Sequence, residues 1–137
     1  MDTLAPVRPL VKRERRISLI AGPMAAAAAR SQVRAAIYAW DVPVDESVAV
    51  LLTSEVVTNA IRHETGESVL LVIIGGHSEL RVEVHDTSPA APVLVDGLPD
   101  AEAGRGLLLV ASLSADWGYY RTPTGKAVHF TLTFQAR

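Results

Sequence analysis

The sequence predicts an α+β fold, a two-layer sandwich with a mostly antiparallel or mixed sheet and helices on one face. Three observations carry that prediction. Periodic segments follow one another as strand, helix, helix, strand, strand, long loop, helix, strand, strand, an order that leaves no room for repeated βαβ crossovers. Two pairs of consecutive strand patterns are joined by short turn signals, Gly75-Gly76-His77-Ser78 and Pro123-Thr124-Gly125, which favour antiparallel neighbours. The chain has 137 residues, 49% apolar and 20% charged, a balance suited to one domain with a sizeable core.

Residues 1–12 contain two prolines and no clean period, so they read as a tail preceding a single domain over 13–137. Glu14 to Ala21 alternates as a first strand with Ile17, Leu19 and Ala21 on one face. Pro23 suits the first turn of a helix running to about Ala39, stopped before Asp41-Val42-Pro43. Asp45 is a candidate N-cap for a second helix, Glu46 to His63, with Glu46 near the positive end of its dipole. Ser68 to Gly75 is β-branched and almost wholly apolar, the pattern of a central strand. Glu79 to Asp86 then alternates Leu80, Val82 and Val84 with Arg81, Glu83 and His85. Periodicity fails from Thr87 to Gly104, which predicts a lid-like loop of about 87–104. An apolar helix restarts at Gly106 to Leu113, and two strands close the chain near Ala115 to Arg121 and Lys126 to Phe134.

Composition excludes several function classes. With no cysteine there is no disulfide framework, thiolate catalysis or Cys-based metal site, which suits a reducing, cytoplasmic compartment. A formal net charge of -2 supplies no global field for nucleic acid or an anionic membrane, so a charged partner must be recognised locally. Arg8, Lys12, Arg13, Arg15 and Arg16 crowd the start of the chain, as a solvated terminus or a surface for an acidic partner. Arg15-Arg16 followed by the charge-free run Ile17 to Ala29 has the outline of a signal peptide. The run is too short to span a bilayer, and Gly22-Pro23 divides it into strand, turn and helix instead.

The chemistry lies in three places. On the second helix Glu55, Asn59 and His63 follow at intervals of four, each about 40° round from the last, forming one polar stripe. A carboxylate one turn from a carboxamide can hold Mg²⁺ and orient or deprotonate a nucleophile, although a merely solvated stripe has the same spacing. Asp86 at a strand end can accept from an exocyclic amine of a base, or it can close an Asx turn. Gly104-Arg105-Gly106-Leu107 at a helix entry brings backbone N–H groups and a cation towards phosphate, or is simply a flexible helix start.

Taken in this order, the residues resemble the GHKL ATPase superfamily. The likeness is strongest to its small stand-alone branch, the anti-sigma-factor serine/threonine kinases and related histidine-kinase-like ATPase domains, over about Glu14 to Phe134. Ser54-Glu55-x-x-Thr58-Asn59-Ala60-x-x-His63 is similar to that family's N-box. The resemblance implies a base or orienting role for Glu55 and Mg²⁺ coordination by Asn59. It assigns Asp86 to the adenine amine, Gly104, Arg105, Gly106 and Leu107 to the phosphates at the lid, and Thr131 to the neighbourhood of adenine. One departure is plain: Asp86 is followed by Thr87-Ser88-Pro89-Ala90, where the family continues with glycines.

The resemblance thus implies a Bergerat-type ATP-binding fold with ATP and Mg²⁺ as cofactors. It implies a kinase that phosphorylates an antagonist protein and controls a sigma factor, expected as a homodimer with no direct nucleic-acid or membrane partner. With no sensor, membrane region or dimerisation helix in 137 residues, a two-component sensor kinase is not expected. The alternative is an ATP-binding protein-interaction module without phosphotransfer.

Overall fold

The computed structural model describes residues 12–63, 66–88 and 102–135. Among these residues five strands form one open sheet: β1 (Arg13–Ile20), β2 (Ser68–Gly75), β3 (Glu79–Asp86), β4 (Asp116–Thr122) and β5 (Gly125–Thr133). They lie in the order β1-β2-β3-β5-β4, every neighbouring pair antiparallel. Helices α1 (Ala25–Ala39), α2 (Glu46–His63) and α3 (Glu102–Leu113) supply the second layer. The expected two-layer α+β sandwich is therefore the observed one.

Pairing and alternation assign each strand residue to a face. Leu80, Val82, Val84 and Asp86 of β3 share the inner face with Leu132, Phe130, Val128 and Lys126 of β5. That face packs on the apolar sides of α1 and α2, where Ala29, Val33, Ala36, Leu52, Val56 and Ala60 are buried in one cluster with Leu107 and Val110 of α3. Small residues on α1 and α2 let the two helices approach each other and the sheet closely.

Local chemistry accounts for the element ends. Gly22-Pro23 does separate strand from helix, with the Ala25 N–H donating to the Gly22 carbonyl at 3.1 Å. At the other end of α1, Asp41 adopts a left-handed φ of 50°. The Val42 N–H donates to Ile37 O at 3.0 Å and the Asp41 N–H to Tyr38 O at 3.3 Å, a Schellman closure whose apolar partners Ile37 and Val42 are both buried. Asp45 caps α2 as expected, its Oδ1 accepting from the Val48 N–H at 3.2 Å. The third helix differs from the sequence expectation. It begins at Glu102 and not at Gly106, so Gly104 and Gly106 lie within its first turns.

The outer face carries a polar cluster centred on Glu83. Its carboxylate accepts from His85 Nε2 at 2.9 Å, Arg81 Nε at 2.7 Å and Tyr120 Oη at 2.8 Å. The His85 bond, with help from Arg81 and Tyr120, outweighs burial and holds Glu83 at about 2 against an ordinary 4.5. Burial and the bond to Glu83 push Tyr120 up, and burial pushes the neighbouring His129 down.

Two glycines have steric reasons. A Cβ at Gly125 would collide with the Asp86 carbonyl oxygen and lie 2.6 Å from Thr87 Cα, both backbone atoms. A Cβ at Gly75 would lie 2.7 Å from the Trp40 ring, a side chain that also packs under the Arg15 guanidinium at 5.7 Å. Gly125→Ala is expected to cost about 3 kcal/mol in chemical denaturation, and Gly75→Ala less, because a ring can shift where a backbone cannot. A depressed carboxylate stabilises the fold above its unfolded pKa, and that stability drains away as pH falls from about 4.5 towards 2. Glu83→Gln should be less stable than wild type at pH 7 and flat through that window, the two curves converging near pH 2 in urea melts.

Candidate functional site

The short connection from α2 to β2 determines where the polar stripe lies. Helix α2 ends at His63, β2 starts at Ser68, and Leu70 pairs with His85, so the end of α2 sits at the sheet end that carries Asp86. Strand β5 begins there as well, Lys126 being the partner of Asp86. The last residues of α3 are tied to the opposite end, where the Ala115 N–H donates to Thr131 O at 2.9 Å. Because α3 packs along α2 from that anchor, its first turns, Gly104-Arg105-Gly106, point back towards the Asp86 end. Topology thus gathers the second half of α2, the end of β3 and the start of α3 at one end of the inner face.

On α2, Glu55 and Asn59 occupy one face of a continuous helix, as their spacing requires. Glu55 is half-buried at the margin of the packed surface. Asn59 is only 3% exposed, and its Oδ1 has no hydrogen-bond partner among the described residues. A buried carboxamide oxygen without a donor is costly unless something else uses it. Ser54 is held from α1 by a 2.7 Å bond from Arg30 Nη1, which fixes α1 against this stretch. Thr58 is exposed and faces the other way, lining a groove of about 380 Å³ with Gly22, Pro23, Ala26, Ile61 and Arg62. The side chains of His63 and Arg105 lie outside the described part, as do residues 89–101 of the expected lid. Leu107 is wholly buried in the core cluster.

Asp86 has two engagements. Its Oδ1 accepts the Ser88 N–H at 2.9 Å, closing an Asx turn where glycines were missing from the sequence pattern. Oδ1 also accepts from Lys126 Nζ at 3.0 Å, and the same ammonium stands 3.0 Å from Oδ2, bridging the two carboxylate oxygens. Side chains of the pair are 0% and 1% exposed, so this is a fully buried ion pair.

Thr131 is not brought to this place. It pairs with Arg81 and lies five positions beyond Lys126, an odd number, so it points to the outer face at the far end of β3. Lys126 takes the position facing Asp86, and sequence reasoning missed it. A lysine directly after a turn glycine reads as the solvated start of a strand. The available signal was its register opposite the strand-end aspartate.

A single antiparallel sheet roofed by helices, with a carboxylate, an orphaned carboxamide and a strand-end aspartate at one end, defines a small nucleotide-binding α+β domain. Residues 19–132 match the model of the histidine kinase-like ATPase domain, and the chain belongs to that family. No curated protein matches the chain. Among the described residues no helix is long and apolar enough to cross a membrane.

Breaking a buried ion pair from one side leaves an uncompensated charge. Lys126→Met should therefore cost about 3–5 kcal/mol at pH 7, and adding Asp86→Asn should recover part of it. A double-mutant cycle in urea checks both, and a cost below about 1 kcal/mol would show the pair to be exposed in solution.

Proposed function

We propose that the protein is an ATP-dependent regulatory serine/threonine kinase of the anti-sigma-factor type, which phosphorylates an antagonist protein, controls a sigma factor and acts as a homodimer. The observation that carries the nucleotide reading is the buried, unpartnered Oδ1 of Asn59, one turn from Glu55 and at the same sheet end as Asp86. An amide oxygen is a hard ligand of the kind Mg²⁺ takes alongside water and phosphate. Asn59 therefore fits the metal, which when bound would neutralise phosphate charge. The partner assignment follows from the resemblance of the Ser54 to His63 segment to the small kinase branch.

Each residue has one task in this reading. Asp86 accepts from the adenine amine, and Asn59 holds the metal and through it the phosphates. The first turn of α3 presents backbone N–H groups to anionic oxygen, and the resemblance assigns Arg105 to the phosphates. Glu55 orients the incoming hydroxyl and takes its proton as the new O–P bond forms and the bond to the departing ADP oxygen breaks. A second reading, an ATP-binding interaction module without transfer, is favoured by the run Thr87-Ser88-Pro89-Ala90 after Asp86, where the family continues with glycines.

Two substitutions separate the tasks. Asn59→Ala should lose Mg²⁺-dependent ATP binding by calorimetry. Glu55→Ala should bind ATP normally and transfer label from γ-labelled ATP to the antagonist about 10²–10⁴-fold more slowly. Equal transfer by wild type and Glu55→Ala would remove Glu55 from the chemistry. ATP binding with no labelled product across candidate partners would select the interaction module.

A further inference from the structure

Among the described residues Lys126 is the one buried cation whose role neither the family nor the proposed phosphotransfer supplies. We infer that Lys126 is a second base-reading residue: its ammonium donates to ring nitrogen N1 of adenine while Asp86 Oδ2 accepts from the 6-amino group. This inference rests on the nucleotide reading above and goes a step further, by assigning base selectivity to a residue pair.

The argument comes from how the pair is bonded. Lys126 Nζ lies 3.0 Å from both carboxylate oxygens, and the Ser88 N–H adds a second donor to Oδ1 at 2.9 Å. Oδ2 is buried and takes no donor besides this ammonium. An ammonium carries three N–H bonds and the carboxylate can take two of them, so among the described residues one has no acceptor. A carboxylate oxygen with a lone pair to spare and an N–H without an acceptor therefore stand side by side, fully buried, at the sheet end that also holds Asn59. Adenine presents the complementary pair side by side on two nitrogens bonded to C6, a donor at the 6-amino group and an acceptor at N1. The Asx turn at Ser88 holds the carboxylate, and the β3–β5 pairing holds the lysine stem beside it.

The test is calorimetric titration of the full chain with Mg²⁺ and four triphosphates: ATP, 1-deaza-ATP, purine riboside triphosphate, which lacks the 6-amino group, and GTP. Wild type should bind ATP tightest. 1-Deaza-ATP should bind about 10–100-fold more weakly through loss of a bond to a charged donor, and the purine riboside form should be weakened through Asp86. Lys126→Met should bind ATP and 1-deaza-ATP alike, both at the weakened level. Where Lys126→Met does not fold, Lys126→Gln, which keeps an N–H donor, should retain part of the preference. Equal wild-type affinity for ATP and 1-deaza-ATP overturns the inference, and it leaves the nucleotide reading standing if purine riboside triphosphate is still weak. Tighter ATP binding by Lys126→Met also overturns it, by showing the ammonium to be a competitor for Asp86, as does a preference for GTP. No ATP binding by wild type or variant overturns this inference and the nucleotide reading together.

Discussion

The close approach of β3 and β5 at Asp86 is the constraint on which the rest depends. Gly125 permits it, since any side chain there would strike the Asp86 carbonyl and the Thr87 backbone. The next residue, Lys126, then enters the inner face directly opposite Asp86 and meets its carboxylate out of water. Burying two charges costs several kcal/mol for each ion, and apolar residues of similar volume often hold an interior as well or better. Stability alone therefore does not account for the pair. The Ser88 N–H makes the arrangement tenable by adding a second donor to Oδ1, so the turn after β3 and the start of β5 support one another.

Most of the fold was legible because the periodic segments were strong. Helix α2 and strands β2 and β3 fall at the expected residues, each bounded by a cap or a turn that local chemistry specifies. The start of α3 was hidden, because glycines at 104 and 106 signal a helix boundary in isolation. In the folded chain Leu107 and Val110, both wholly buried, anchor that helix against α2, and packing outweighs the propensity cost of two glycines in its first turns.

The site was legible to the extent that it lies on one element. Spacing along α2 puts Glu55 and Asn59 on one face whatever the tertiary structure, and the structure adds that Asn59 is buried with an oxygen to spare. Across strands the sequence is a weaker guide. Side chains alternate with period two, so a threonine five residues from the right position does more than miss by a distance. It faces the wrong side of the sheet, as Thr131 does, and register becomes visible only when the partner strand is known.

Strand β3 carries two buried acids in different bonding states. Glu83 and Asp86 are both buried carboxylates on the same strand, pointing to opposite faces. Glu83 is fully spent: both oxygens accept, from three side chains on the outer face, and its pKa is driven down accordingly. Asp86 accepts from one backbone N–H and one ammonium, and its Oδ2 has no donor beyond that ammonium, 3.0 Å away. Burial is common to both, so unspent hydrogen-bonding capacity is the property that separates them. Among the described residues His129 Nδ1 is a third buried atom without a partner, but it lies on the outer face beside the Tyr120 ring, where burial favours the neutral ring. The Oδ2 of Asp86 and the orphaned Oδ1 of Asn59 come from a strand and a helix distant in sequence, yet topology delivers them to the same end of one face. Acceptor capacity gathered there is what the proposed nucleotide, with its amine and its metal, would use.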